Sequence, residues 1–99
     1  MTYEQALDKL NGKDSKKLCR STYLVRIDEN CVGIKLYNSI IIRIAKNNQY
    51  KLNDYGYKTR LTLDRINQYA PCRVFQKNWN WYINDERTPF FNGVTVNGC

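Results

Sequence analysis

Ninety-nine residues are enough for one domain and too few for two, and a hydrophobic share of 42% excludes wholesale disorder. Sixteen Lys and Arg against nine Asp and Glu leave a net charge of +7, which attracts anions and excludes an acidic mimic of DNA. The chain has no His, so the commonest general base and the usual partner of a catalytic Ser or Cys are both missing.

The N-terminus, Met1-Thr2-Tyr3-Glu4, is polar and carries no apolar signal segment, and the longest apolar run, Ile40-Ile41-Ile42, is too short to cross a membrane. A cytoplasmic protein is expected. Cys19, Cys31, Cys72 and Cys99 show no C-x-x-C spacing and have no His to join them, so they are expected to be free thiols with no zinc and no other cofactor.

In chain order, residues 2–11 predict a short helix with Thr2 as N-cap, Ala6, Leu7 and Leu10 on one side, and Asn11-Gly12 as the stop. Residues 13–17 are charged and predict a solvated linker. From Thr22 the period becomes two. Tyr23, Val25 and Ile27 alternate with polar neighbours, Glu29-Asn30 forms a two-residue turn, and Val32, Ile34 and Leu36 alternate on the return. Ile40, Ile42 and Ile44, then Tyr50 and Leu52, extend the same face. The pattern predicts a four-stranded antiparallel meander over about 22–53.

Residues 53–61 read as a polar and aromatic loop, and 63–69 as a helix with Thr62 as N-cap, Asp64 in its first turn, and Leu63, Ile66 and Tyr69 pointing inward. Pro71 ends it. A second hairpin is predicted over about 72–83 around Lys77-Asn78, with Trp79 and Trp81 on one face. The fold class is therefore α+β and β-rich: a single domain over 1–99, with its core in 20–83 and a C-terminal extension, 84–99, separable from folding. Phe90-Phe91, Asn92-Gly93 and Val94-Thr95-Val96 could close a last small hairpin there.

No phosphate-cradling glycine motif is present, so no enzyme is expected. Asp54 and Asp64 could hold a hydrated metal or act as an acid–base pair, but a turn former and a helix first-turn residue explain them more simply. Two basic groups point to an anionic partner, a nucleic acid or a nucleotide. With the pairings above, Arg26, Lys35, Arg43 and Lys51 gather on the outer face of the meander, where Gly33 keeps the sheet low. The loop residues Tyr55, Tyr57, Lys58 and Arg60, with Arg65 one turn further on, combine rings for stacking with cations for phosphate. The competing reading is structural: rings that pin a loop, and charges that are merely solvated. The alternative partner is a protein, contacted through Tyr82, Phe90 and Phe91. A homo-oligomer is compatible with either reading; no membrane partner is expected.

Thr22-Tyr23-Leu24-Val25, the run Val32 to Tyr37, the segment Lys58 to Asn67 and the closing Trp81-Tyr82-Ile83 carry a resemblance. The stretch from Thr22 to Ile83 resembles a group of short proteins encoded by bacteriophages and prophages, a group with no assigned activity. The resemblance implies a phage-encoded protein working in the host-cell cytoplasm, and raises both nucleic-acid binding and inhibition of a host defence enzyme as roles. Two departures stand out: the group often has His where this chain has Tyr37, and the tail 84–99 looks like an addition.

Overall fold

The N-terminal helix follows from its caps. In the computed structural model, which describes residues 1–56 and 59–97, α1 spans Tyr3–Leu10. Thr2 and Gln5 form a reciprocal capping box: the Gln5 N–H donates to Thr2 Oγ1 at 3.2 Å and the Thr2 N–H donates to Gln5 Oε1 at 2.9 Å. Asn11, left-handed at φ 49°, stops the helix. Tyr3, Ala6 and Leu10 are buried, while Leu7 lies at the margin of the core.

The remaining elements are β1 (Ser15–Cys19), β2 (Thr22–Asp28), β3 (Cys31–Leu36), β4 (Ser39–Ala45), β5 (Gln49–Leu52), α2 (Arg60–Tyr69), β6 (Val74–Lys77), β7 (Asn80–Ile83) and β8 (Val94–Asn97). They form an antiparallel six-stranded sheet in the order β1-β2-β3-β4-β5-β8 and a separate β6–β7 hairpin. The α+β, β-rich class and the meander are as expected, the meander being β2 to β5. Two strands are additional. The charged residues 13–17 do not form only a linker, because β1 pairs with β2 as an edge strand. The tail 84–99, set apart as an extension, supplies β8, which pairs with β5 instead of folding back on its own residues.

Register is where expectation and structure part. The Glu29-Asn30 turn forms and Asp28 stands opposite Cys31, as expected. Ile27 is then an extra residue, a bulge that shifts β2 by one, so Arg26 pairs with Val32, Leu24 with Ile34 and Thr22 with Leu36. Thr22 and Leu24 therefore face the core, while Tyr23 and Val25 face away from it. β4 bulges too: Ile34 pairs with Ile42 and Lys35 with Ile40, leaving Ile41 as the extra residue. Ile41 is buried, and Ile40, expected inside, is only half-buried.

The reason lies at Gly33. A Cβ there would sit 2.8 Å from Ile27 Cδ1, 2.8 Å from Ile40 Cγ2 and 3.3 Å from the Ile42 carbonyl oxygen. The two isoleucines beside the bulged registers close over the space that the missing side chain leaves. The low saddle expected at Gly33 is therefore filled, and Gly33 is buried.

Helix α2 starts three residues earlier than expected. Thr59 is the N-cap and accepts from the Thr62 N–H at 3.2 Å, so Thr62 lies buried inside the helix and Asp64 falls outside the first turn. Leu63, Ile66 and Tyr69 point inward as expected. Asn67 clamps the hairpin to α2: its Nδ2 donates to the Val74 carbonyl at 2.8 Å and its Oδ1 accepts from the Val74 N–H at 2.6 Å. The hairpin turn is Asn78-Trp79, both at positive φ (51° and 69°). This turn separates the two tryptophans. Trp79 is 88% exposed at the tip, whereas Trp81 is 3% exposed in the core.

Candidate functional site

Both helices pack on one face of the sheet, over Leu24, Ile34, Ile42, Ile44, Tyr50 and Leu52. Alternation puts the intervening residues on the opposite face, against which neither helix packs. Two cross-strand rows run across the middle of that outer face, beside an end row, Asp28, Cys31, Ala45, that carries one carboxylate. One runs Ser15, Val25, Gly33, Arg43, Lys51, Thr95 from β1 through β5 to β8. The other runs Lys17, Tyr23, Lys35, Ile40 from β1 to β4.

These rows bring together Lys35, Arg43 and Lys51 of the four cations expected here. Arg26 is not among them. The Ile27 bulge sets it opposite the core residue Val32, with its Nε 3.8 Å from Asp14 Oδ1. Lys17 takes its place, a residue sequence reasoning missed because it assigned 13–17 to a linker. No Asp or Glu occurs in either row, and none of Lys17, Lys35, Arg43 and Lys51 has an ion pair among the described residues. Beside Arg43 and Lys51 lies a shallow depression of about 260 Å³, bordered by Cys31, Ala45, Gln49 and Thr95.

The loop cluster is arranged differently. Tyr55 is exposed at φ 53° beside Gly56, while Tyr57 and Lys58 lie outside the described residues. Arg60 Nε donates to Asp64 Oδ1 at 3.1 Å, one turn along the helix surface. Arg65 holds the fold: its Nε donates to the buried Thr22 Oγ1 at 2.9 Å, tying α2 to β2. A cleft of about 380 Å³ lies between the β3–β4 turn and the start of α2, lined by Tyr37, Asn38, Ile41, Asp54, Thr59 and Thr62 among others. Asp54 is buried and its Oδ1 accepts from the Gly56 N–H at 2.8 Å, whereas Asp64 is exposed on α2. No group of three or more Cys, Asp or Glu converges on a metal site among the described residues.

Of the expected protein-contact residues, Phe90 belongs to the core, with its ring edge-on to Trp81 at 5.4 Å. Tyr82 is half-buried against Phe75, their centroids 5.7 Å apart. Phe91 is 60% exposed. Cys19, Cys31 and Cys72 are free thiols; Cys99 lies outside the described residues. The Tyr69 hydroxyl, 3.5 Å from Cys19 Sγ, lowers that thiol's pKa, with help from Thr22, Arg65 and Lys17 against desolvation. Burial raises those of Cys31 and Cys72. No helix among the described residues is long and apolar enough to cross a membrane.

No curated protein and no solved structure matches the chain. A family model does: Kyanoviridae Gp96 protein, over residues 3–97, which takes in both helices and all eight strands. The chain belongs to the Kyanoviridae Gp96 family and is a phage protein, in a family whose description assigns no activity.

Proposed function

We propose that this protein is a non-enzymatic binder of nucleic acid, and that the outer face of the six-stranded sheet is its contact surface. One observation carries the reading. Lys17, Lys35, Arg43 and Lys51 share a face with no helix over it, and the two rows that hold them contain no carboxylate; Asp28 stands in the next row, opposite Cys31. Like charges set opposite each other in a sheet cost stability, and a phosphate backbone laid across them reverses that cost. Arg43 and Lys51 are such a pair. The loop cluster contributes less to this reading, since Arg65 is committed to Thr22 and Arg60 to Asp64.

The test is a salt series. Fluorescence anisotropy with labelled DNA, single-stranded and duplex, gives the slope of log K against log salt. Replacing Lys35, Arg43 and Lys51 together by Gln is expected to lower that slope by about 2–3 units, at ~0.7–0.9 per phosphate contact, with folding stability level or raised. Unchanged affinity and slope would overturn the reading. A second reading, direct contact with a host protein, is favoured by Trp79, whose indole stands 88% exposed at a hairpin tip with Phe91 also exposed elsewhere. It predicts no retention on nucleic acid.

A further inference from the structure

The row Lys17, Tyr23, Lys35 narrows the class of nucleic acid, an inference that rests on the binding reading above. These residues stand directly opposite one another on β1, β2 and β3. Neighbouring strands lie about 4.8 Å apart, so the two lysines flank the tyrosine at roughly that spacing, with about 10 Å between their backbones. The Ile27 bulge creates the arrangement. Without it Tyr23 would face the core, as the uninterrupted alternation of β2 implies.

Tyr23 is 36% exposed, and its ring and hydroxyl have no hydrogen bond or ring partner among the described residues. About two-thirds of its surface is covered by neighbours and the rest is open to solvent, with no polar partner fixed. Next along the row, beyond Lys35, comes the half-buried Ile40, which with Ile27 closes over Gly33. An aromatic ring, a cation on either side and an apolar patch made by Ile27 and Ile40 are thus collected on one sheet face.

We infer that this face takes single-stranded nucleic acid, with one unstacked base lying on Tyr23 and the adjoining backbone phosphates on Lys17 and Lys35. A duplex keeps its base faces stacked inside and could use only the cations; a single strand can use the ring as well. Arg43 and Lys51, in the neighbouring row, continue the phosphate track toward β8. Stacking on a ring is tolerant of base identity, so recognition is of strandedness more than of sequence.

The experiment uses the full chain, an oligo-dT strand and a mixed-sequence duplex of equal length, followed by anisotropy at fixed salt. The single strand is expected to bind more tightly than the duplex. Tyr23→Ala should weaken single-strand binding by about 5- to 100-fold, the usual range for losing one base–ring stack, and leave duplex binding and the salt slope unchanged. Tyr23→Phe should stay within about 3-fold of the parent, since the ring is kept. Lys17→Gln with Lys35→Gln should lower the single-strand salt slope by about 1.4 units at ~0.7 per contact. Retained duplex affinity also shows that the Tyr23→Ala chain is folded. Equal affinity for strand and duplex, with neither changed by Tyr23→Ala, would overturn the single-strand inference and leave the nucleic-acid reading in place. Absence of binding to either would overturn both.

Discussion

Arg43 on β4 and Lys51 on β5 stand directly opposite each other on the outer face, two like charges in one cross-strand pair. Opposed like charges in an antiparallel pair are destabilising, and opposite charges there contribute roughly 0.2–1 kcal/mol. Lys51→Glu is therefore expected to raise folding stability by about that amount in urea denaturation at low salt, and to weaken polyanion binding in the same preparation. A variant that lost both stability and binding would mean that the pair holds the sheet.

Gly33 offers a sharper probe of packing. Gly33→Ala is expected to destabilise by about 1–3 kcal/mol, the usual cost of overpacking. Ile27 Cδ1 can swing aside, but Ile40 Cγ2 sits on the branch point of its side chain and cannot. Placing Gly33→Ala in an Ile40→Val background, which keeps the branch, should leave most of the cost. An Ile40→Ala background should remove much of it. The coupling energy of that double-mutant cycle, read from chemical denaturation, is the quantity to measure.

Ending the chain at Asn84 is expected to abolish cooperative unfolding. The cut removes β8 from the sheet and Phe90 from its edge-on contact with Trp81. It also removes the backbone bond from the Phe90 N–H to the Trp81 carbonyl at 2.9 Å. A sharp thermal transition in the shortened chain would contradict the sheet order described above.

Alkaline stability should report on Tyr69. Burial, then the Cys19 contact, pushes its hydroxyl up from 10.0 to about 12. A group whose pKa is raised on folding contributes its stability in full below its unfolded value and loses it as pH rises through the folded one. Stability is thus expected to fall between pH 10 and about 12, and Tyr69→Phe should flatten that fall. Without the Tyr69 hydroxyl, Cys19 should also alkylate more slowly near neutral pH, because its thiolate loses that hydrogen bond.

Trp79→Gly is expected to stabilise the protein by up to about 1 kcal/mol in thermal or urea unfolding, since Gly accepts a left-handed turn position without steric cost. Trp79 holds φ 69° there with its ring in solvent. If the second functional reading is right, the same change removes the protein contact, so stability and function move in opposite directions.

What the sequence made legible was whatever rests on local pattern. The N-cap at Thr2, the Glu29-Asn30 turn, the inward faces of β3 and β5, and the inward set Leu63, Ile66 and Tyr69 all follow from period and turn chemistry. The register of β2 is not legible because the strand is apolar on both faces: Leu24 as well as Tyr23, Val25 and Ile27 can satisfy an alternating pattern. Only the bulge decides between them, and a bulge leaves no mark in hydropathy. β1 looked like linker because an edge strand tolerates the lysines that signal solvent. β8 reads as part of a local hairpin because its partner β5 lies far back in the chain and local pattern carries no sign of it. The candidate site inherits these errors: Arg26 left it, and Lys17 and Tyr23 entered it.

The sheet order also has a consequence for biosynthesis. β8 is the last of these elements to leave the ribosome, and 41 residues separate it from Leu52 at the end of its partner β5. At ~5–20 residues per second, translation leaves the β5 edge unpaired for roughly 2–8 s after β5 itself has been made. An open edge is a template for pairing with another nascent chain, and lysine is the residue that best discourages it. Lys51 sits in the middle of that edge. The charge that opposes Arg43 in the finished sheet thus protects the half-made one.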